Sequence, residues 1–344
     1  MNRKPTMKEL VDATQLSRAT IDRVLNNRPG VNPKTIEIVQ RAYSSLLVEA
    51  AGLVQTPRVQ SGSKFSIVVQ AGDEYNASLK AAAKRIESHI GLKGIALDIC
   101  CCSDVNDDEV IRLINIQAEH ADGVAIVAKN TPAINAAVHK LKLRGKHIIA
   151  LVSDLDPDVR DAYIGINNRA AGQAAGFILG RHLQYCTDAS VAVIVGTLSY
   201  SCHDDREMGF RAQIRKTFPA VSVSEVISGN DNTQQTYDAA IQLLNTDKNI
   251  RAIYNVAGGN LGLAAALDEF KAEVRPILVT HEVNEVTEKL ILDEKIDYII
   301  SQDIPQLLTE TVEKLLKIKE GSHYDTHTFL PIEIITRFTL PTVM

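Results

Sequence analysis

A long hydrophobic run, a secretory leader and an even set of cysteines are all missing from this sequence of 344 residues. The best apolar run, around Ile148–Val152, is broken on both sides and falls far short of the ~18 residues that a membrane helix needs. No apolar stretch follows the basic residues at the start of the chain, so we expect no secretory signal. Three of the five cysteines are consecutive, at 100–102, and an odd count without a leader indicates a reducing compartment. These absences predict a cytoplasmic protein with no membrane partner.

Charge is spread unevenly along the chain, although the total is an ordinary −5. Residues 1–50 carry eight basic and five acidic side chains, whereas the remaining residues carry 29 basic and 37 acidic ones. A small basic segment ahead of a larger acidic body indicates that only the segment meets a polyanion. The length and the 45% hydrophobic content favour two or three domains over one.

The first 50 residues have the pattern of short helices joined by a tight turn. Residues 7–14 predict a first helix, and Ser17 is placed to cap a second helix that runs to about residue 26. Ile21, Val24 and Leu25 recur at helical spacing and form its inner face. Periodicity alone leaves two interpretations open: a helix-turn-helix whose second helix enters a DNA groove, and a three-helix bundle with no nucleic-acid role.

The residues of the second helix favour the first interpretation. Segment 17–27, SRATIDRVLNN, closely resembles the N-terminal domain of LacI-family transcriptional repressors. The resemblance implies phosphate contacts from Ser17, Thr20 and Asn26 and base-edge contacts from Arg18, Ala19 and Arg23. It also implies a homodimer, or else a tetramer, on pseudo-palindromic double-stranded operator DNA.

From residue 65 onward, short β-branched runs alternate with helical stretches. Such alternation is typical of parallel sheets covered by helices on both faces. The runs extend from FSIVVQ at 65–70 to FLPIEII at 329–335, and they are too many for one sheet. The pattern therefore predicts an α/β protein with a small all-α head and a body of two doubly wound lobes. We place the head at 1–50, a linker at 51–64, lobe 1 at about 65–156 and 303–327, and lobe 2 at about 157–302 and 328–344.

Polar side chains gather after these strands, where the ligand crevice of a doubly wound sheet lies. The candidate ligand contacts are Asp73, Tyr75, Asn130, Asp154, Arg206, Asn255, Glu282 and Gln302. A mixture of donors and acceptors suits a polyhydroxylated ligand, although helix capping explains most single positions equally well. Arg206 differs, because we expect it to open a helix, where its charge opposes the helix dipole and needs another reason.

The body resembles the periplasmic sugar-binding-protein fold that serves LacI-family regulators as an effector domain. The similarity lies in YIGINNRAAG at 163–172, REMGF at 206–210 and PIEIITR at 331–337. It implies that Arg206 grips sugar hydroxyls and that Glu282 and Gln302 supply an acidic and an amide ligand. The segment 257–259 departs from the Asn-Asp or Thr-Asp pair of such proteins, and no tryptophan is present to stack on a pyranose ring.

The sequence contains no Walker A loop, no G-x-S-x-G and no H-E-x-x-H, and an α/β enzyme such as a sugar kinase would need a phosphate or dinucleotide loop. We therefore expect no enzyme, no cofactor, no metal site and no catalytic residues. The sequence predicts a DNA-binding transcriptional regulator, a repressor, that a small sugar or polyol effector controls. The alternative is a cytoplasmic sugar-binding module with a vestigial DNA-binding head.

Overall fold

The chain divides into two units, Met1–Ser61 and Gly62–Met344. The computed structural model describes residues 6–14, 16–25, 31–32, 35–36, 39, 62–102, 106–270 and 274–341. Across these residues, no helix combines the length and the apolar character needed to cross a bilayer.

Two short helices make up most of the described part of the first unit. Helix α1 spans Met7–Thr14 and α2 spans Arg18–Leu25. The Ser17 hydroxyl accepts the backbone N–H of Thr20 at 3.2 Å, so Ser17 caps α2 as its place in the sequence predicts. Buried aliphatic side chains from both helices form a small core. The linker predicted at 51–64 lies outside the described residues as far as residue 61.

The first sheet of the second unit is entirely parallel. Its strands are β1 (Ser63–Gln70), β2 (Ile95–Cys102), β3 (Gly123–Val127), β4 (His147–Leu151), β5 (Ala162–Gly165) and β11 (His327–Phe329). They lie in the order β11-β5-β4-β3-β1-β2. The helices that accompany this sheet are α3 (Asp73–Gly91), α4 (Asp107–His120), α5 (Pro132–Leu143) and α11 (Ile304–Lys319). We call this part lobe 1.

The second sheet has the same design with one antiparallel edge. Its strands are β6 (Ser190–Val195), β7 (Ser222–Ser228), β8 (Ile250–Asn255), β9 (Ile277–His281), β10 (Tyr298–Ser301) and β12 (Glu333–Ile335). They lie in the order β12-β10-β9-β8-β6-β7, with β12 antiparallel to β10. Its helices are α6 (Asn168–Leu183), α7 (Ser201–Thr217), α8 (Thr233–Thr246), α9 (Asn260–Phe270) and α10 (Glu285–Leu292). We call this part lobe 2.

The predicted boundary between the lobes at residue 156 is wrong. Strand β5 pairs with β4, and Ile149 lies opposite Ala162, so lobe 1 extends to about residue 165. The predicted final strand at 329–335 is also two strands, β11 in lobe 1 and β12 in lobe 2. Pro331 lies between them, and a proline has no N–H to donate to a sheet.

Strand β1 shows why both lobes are stable as layered structures. Its six residues from Phe65 to Gln70 are all buried. Phe65, Ile67 and Val69 pack into one hydrophobic cluster and Val68 into another, so helices cover both faces of the strand. The polar residues of a ligand crevice are found at the carboxyl ends of such buried parallel strands.

Candidate functional site

A cleft lies between the carboxyl ends of the strands of the two lobes. It encloses about 730 Å³, part of which is open solvent. Most of its lining comes from segments 70–75 after β1, 200–206 at the start of α7, 256–260 after β8 and 281–284 after β9.

Arg206 is held rigidly in this cleft, with only 3% of its surface exposed. Its Nε donates to Asn168 Oδ1 at 2.9 Å, and its Nη1 donates to the Val256 carbonyl at 3.0 Å. Its Nη2 lies 3.4 Å from Glu282 Oε1. Helix α7 begins at Ser201, so Arg206 stands in the second turn and the argument from the helix dipole is wrong. Three acceptors around the guanidinium explain its position better, because each of its three nitrogens has a partner.

Glu282 is the acidic partner of Arg206, and its backbone is strained. Its φ is +64°, in the left-handed region that residues other than glycine rarely adopt. Gln302 Nε2 donates to Glu282 Oε1 at 3.1 Å from behind the cleft wall. Burial raises the pKa of Glu282, and Arg206 and Gln302 oppose that rise. Strain that surrounding contacts maintain is common at ligand sites.

Six buried polar atoms lack a hydrogen-bond partner in the described part of the chain, and they cluster around this cleft. They are Glu74 Oε2, Tyr75 Oη, Asn76 Oδ1, His281 Nδ1, Glu282 Oε2 and Gln302 Oε1. Four of the six are carboxylate or amide oxygens. An amide oxygen accepts hydrogen bonds, and so does the oxygen of an ionised carboxylate. Each unsatisfied buried group costs about 1–3 kcal/mol, and native proteins contain few of them. The cleft is therefore suited to a ligand that donates several hydrogen bonds.

His281 adds a ring nitrogen that can either donate or accept a hydrogen bond. The side chain is 3% exposed, and its Nε2 lies 2.8 Å from the Tyr254 hydroxyl. Burial, and then the charge of Arg206, lower the pKa of His281 well below 6.5, so the ring is neutral near pH 7. When Tyr254 donates to Nε2, the unpartnered Nδ1 carries the proton and donates; in the other tautomer it accepts.

The lobe 1 wall includes the first residues of α3. Burial raises the pKa of Tyr75 well above 10, so its hydroxyl stays neutral. Burial also raises the pKa of Glu74; a hydrogen bond with Asn284 opposes the rise, and the charge of Asp231 adds to it. Asn284 and Asp231 both belong to lobe 2, so the two walls are in close contact.

Asp231 enters the cleft from the loop after β7, and the sequence analysis missed it. Asn230 and Asp231 have φ values of +49° and +52°. The Gly258 N–H donates to Asp231 Oδ1 at 2.7 Å and holds the carboxylate in place. A signal for it was present in the sequence, because the polar run 229–232 directly follows the β-branched segment that forms β7.

Further hydrogen bonds close the two lobes on each other. The Tyr200 hydroxyl of lobe 2 donates to the Gln70 carbonyl of lobe 1 at 3.0 Å. The Ser201 hydroxyl donates to the Asp154 carbonyl at 2.8 Å. The two lobes are therefore close enough for both walls of the cleft to contact one small ligand.

Of the predicted ligand residues, Asp73, Tyr75, Arg206 and Glu282 line the cleft, and Gln302 stands behind Glu282. Glu74, His203 and His281 also line it and were missed, although Glu74 and His281 are direct neighbours of predicted residues. Their positions show that the strand-end rule selects the correct loops and cannot rank the residues within them.

Three predicted ligand residues serve the fold instead. Asn130 Oδ1 accepts from Asn135 Nδ2 at 2.6 Å. Asp154 binds the Arg160 guanidinium, with Oδ2 2.7 Å from Nη2. Asn255 is fully buried, and its Nδ2 donates at 3.0 Å to a carbonyl in the turn after β8. The side chains of all three bond to neighbours from their own lobe, and none of the three residues lines the cleft.

The residues expected to contact DNA lie on and beside α2. Ser17, Arg18, Ala19 and Arg23 are exposed, Thr20 is half-buried, and Asn26 lies outside the described residues. The hydroxyls of Ser17 and Thr20 are 2.9 Å apart and bond to each other.

A family profile described as "Periplasmic binding protein domain" matches residues 65–322. GanP, a glucose-galactose binding protein from Geobacillus stearothermophilus, is 19% identical, with a TM-score of 0.74 over 82% of this chain and 100% of that chain. A solute-binding protein of an ABC transporter from Burkholderia graminis C4D1M, in complex with D-arabinose, is 19% identical, with a TM-score of 0.75 over 83% and 99%. One from Actinobacillus succinogenes 130z with bound D-allose is 16% identical, with a TM-score of 0.71 over 80% and 98%. No curated protein matches the chain in sequence.

These findings correct the function predicted from the sequence. The DNA-binding transcriptional repressor was inferred from segment 17–27, whereas the family match begins at residue 65 and the solved relatives are sugar-binding proteins. The comparisons overturn the prediction of a transcriptional regulator and favour the alternative prediction, a sugar-binding module. The two-lobed α/β body of parallel sheets is confirmed, whereas the helix-turn-helix head and the operator DNA gain no support. The homodimer and the cytoplasmic location stay predictions.

Proposed function

Because the chain belongs to the family of periplasmic binding protein domains, we propose that it is a sugar-binding module whose cleft closes on one monosaccharide. Arg206, Glu282, Tyr75 and His281 contact hydroxyl groups of the sugar, and Gln302 orients Glu282 from behind. The protein binds and releases the sugar without chemical change, and the two N-terminal helices form a vestigial helix-turn-helix head.

The unpartnered acceptors of the cleft are the observation that supports this proposal most directly. A monosaccharide carries several hydroxyls, each of which donates one hydrogen bond and accepts others. Glu282 Oε2 and Glu74 Oε2 need donors, and Arg206 has N–H groups left beyond its three bonds to offer to hydroxyl oxygens. A flat apolar ligand would leave all of these groups unsatisfied, at about 1–3 kcal/mol each.

A thermal-shift screen tests the proposal. The probes are D-glucose, D-galactose, D-arabinose, D-xylose and D-allose, each at 1–10 mM concentrations typical of weak ligands. A sugar that binds the folded state stabilises it by mass action, about 2.7 kcal/mol at a hundredfold excess over Kd. Calorimetry then measures the affinity of each probe that raises Tm. A set of monosaccharides that leaves Tm unchanged at every concentration contradicts the proposal.

The Tyr75→Phe variant tests whether the sugar binds in the cleft. The Tyr75 hydroxyl is buried and bonds to no described residue, so its removal breaks no contact within the protein. We expect the variant to fold with unchanged or higher stability and to bind the sugar roughly three- to tenfold more weakly, the value of one neutral hydrogen bond.

The matched control is Tyr185→Phe, which removes the same atom from a side chain that is 91% exposed. It is expected to bind the sugar as the unchanged protein does. Equal affinities for Tyr75→Phe and Tyr185→Phe would show that the sugar does not reach Tyr75.

A further inference from the structure

The negative charge that lines the cleft is not balanced by the described residues around it. The carboxylates of the lining are Asp73, Glu74, Asp231 and Glu282. Arg206 is the only arginine or lysine among the described lining residues, and it is bound to Glu282 and to neutral oxygens. His203 lies beside Asp231, but burial lowers the pKa of His203 although Asp231 opposes that change, so the ring is neutral near pH 7 and Glu74 and Asp231 face the cleft without a cation from the described residues.

Glu74 and Asp231 approach one another from opposite lobes. Gly72, two residues before Glu74, is so close to Asp231 that a Cβ built on it would lie 3.3 Å from the Asp231 Cβ. Glu74 Oε2 is buried and has no described partner. The same is true of His281 Nδ1 and Gln302 Oε1, whose side chains are each only 3% exposed. The closed cleft therefore brings two like charges together in a cavity whose lining also includes His281, with its unsatisfied Nδ1.

Contacts with neighbouring residues hold the Asp231 carboxylate in the cleft, although the backbone at Asp231 has an unfavourable conformation. Asn230 and Asp231 are two consecutive non-glycine residues with positive φ. Gly196 leaves room for the carboxylate, since a Cβ there would overlap Asp231 Oδ2. The Gly258 N–H then fixes Oδ1 at 2.7 Å. Strain that is maintained by several neighbours indicates a functional position.

We propose that the ligand of this cleft is an amine-bearing sugar whose ammonium group lies between Glu74 and Asp231. This inference rests on the sugar-binding function proposed above and names the class of sugar. An ammonium group brings one positive charge and three donors, so it relieves the repulsion between the two carboxylates and satisfies Glu74 Oε2. Sugar phosphates and sugar acids would place a further anion beside them and are rejected.

Calorimetry on the full chain at pH 7 tests the class of ligand. It compares D-glucosamine with D-glucose and D-galactosamine with D-galactose, with N-acetyl-D-glucosamine and D-glucose 6-phosphate as the uncharged and anionic probes. We expect an aminodeoxy sugar to bind about tenfold or more tightly than its parent, as a charge-assisted hydrogen bond does, and the N-acetyl sugar to lose that gain.

Two variants identify the carboxylates responsible. Glu74→Gln and Asp231→Asn keep the shape and remove one charge each, so both are expected to reduce the advantage of the aminodeoxy sugar over its parent sugar to about threefold or less. The control is Asp238→Asn, which removes the same charge from an exposed position on α8 and is expected to change neither affinity.

The outcomes separate this inference from the proposed function. If the parent sugars bind as tightly as the aminodeoxy sugars, or if both variants retain the full advantage of the amine, the inference is overturned and the sugar-binding function stands. If no probe binds, with or without an amine, both fail. Urea unfolding of each variant shows that a loss of preference comes from the charge and not from loss of the fold.

Discussion

Replacement of Arg206 by methionine tests how much of the stability of lobe 2 depends on one buried charge. Arg206 is 3% exposed, and Glu282 beside it has a side chain that is 14% exposed. The variant leaves Asn168 Oδ1 and the Val256 carbonyl without their donor and leaves Glu282 buried without its cation. Breaking a buried ion pair on one side typically destabilises a protein by about 3–5 kcal/mol. That is a large part of a total stability of roughly 5–15 kcal/mol.

Urea unfolding at pH 7, followed by circular dichroism, measures this loss. A second substitution then identifies its cause. In Arg206→Met/Glu282→Gln the neutral amide needs no cation, so we expect roughly 1–3 kcal/mol of the loss to be recovered. The control is Arg206→Met/Glu285→Gln, in which the second change removes an exposed carboxylate from α10. No recovery is expected there.

Acid offers an independent check on the same pair. Burial raises the pKa of Glu282, and Arg206 opposes that rise, so Arg206→Met raises the pKa further. Glu282 in the folded variant then takes up its proton at higher pH than in the unfolded chain, and the deficit against the unchanged protein shrinks as pH falls towards 4.5. A loss below about 1 kcal/mol for Arg206→Met, or equal stabilities of the two double variants, would refute this account of the pair.

Two further predictions concern single residues. Burial raises the pKa of Glu74 above 4.5, so its charge destabilises the folded protein above that pH. Glu74→Gln is therefore expected to raise Tm at pH 7 and to have no effect below about pH 4.5. A gain in Tm that does not depend on pH would contradict this reasoning. Gly172→Ala is expected to destabilise the protein by about 1–3 kcal/mol or more, because a Cβ there would overlap the Arg206 carbonyl where α6 crosses α7. Its control, Gly91→Ala, meets no atom within 4 Å and is expected to be neutral or stabilising in the same thermal melts.

The alternation of strands and helices was predictable because burial on both faces leaves a clear signature in sequence. Strand β1 buries six consecutive residues, and such a run directly before an amphipathic helical segment has few other interpretations. The start of α7 was not predictable in the same way. Its cap position is Tyr200, whose side chain makes no capping hydrogen bond, so the usual Ser, Thr, Asp or Asn signal is absent and Arg206 looked like a first-turn residue.

Lobe membership depends on pairing, which a local pattern does not contain. Strand β5 has four residues, and its sequence would suit either sheet. Its partner β4 ends eleven residues earlier, at Leu151, and the backbone returns alongside it through a loop that Asp154 and Arg160 fix. That salt bridge also explains why Asp154, a predicted ligand residue, does not line the cleft: the guanidinium that binds it lies only six residues away, and spacing in a loop does not reveal the contact.

What separates ligand residues from fold residues in this cleft is satisfaction of hydrogen bonds, and satisfaction is a property of three-dimensional neighbours. Asn255 is the last residue of β8, Glu282 directly follows β9, and both side chains are enclosed. The Nδ2 of Asn255 donates to the turn after β8, and its Oδ1 accepts a backbone N–H from that turn at 3.4 Å. Glu282 keeps one oxygen without a partner and keeps a backbone φ of +64°. Both features of Glu282 are unfavourable for folding alone, and a bound ligand that donates hydrogen bonds accounts for both at once.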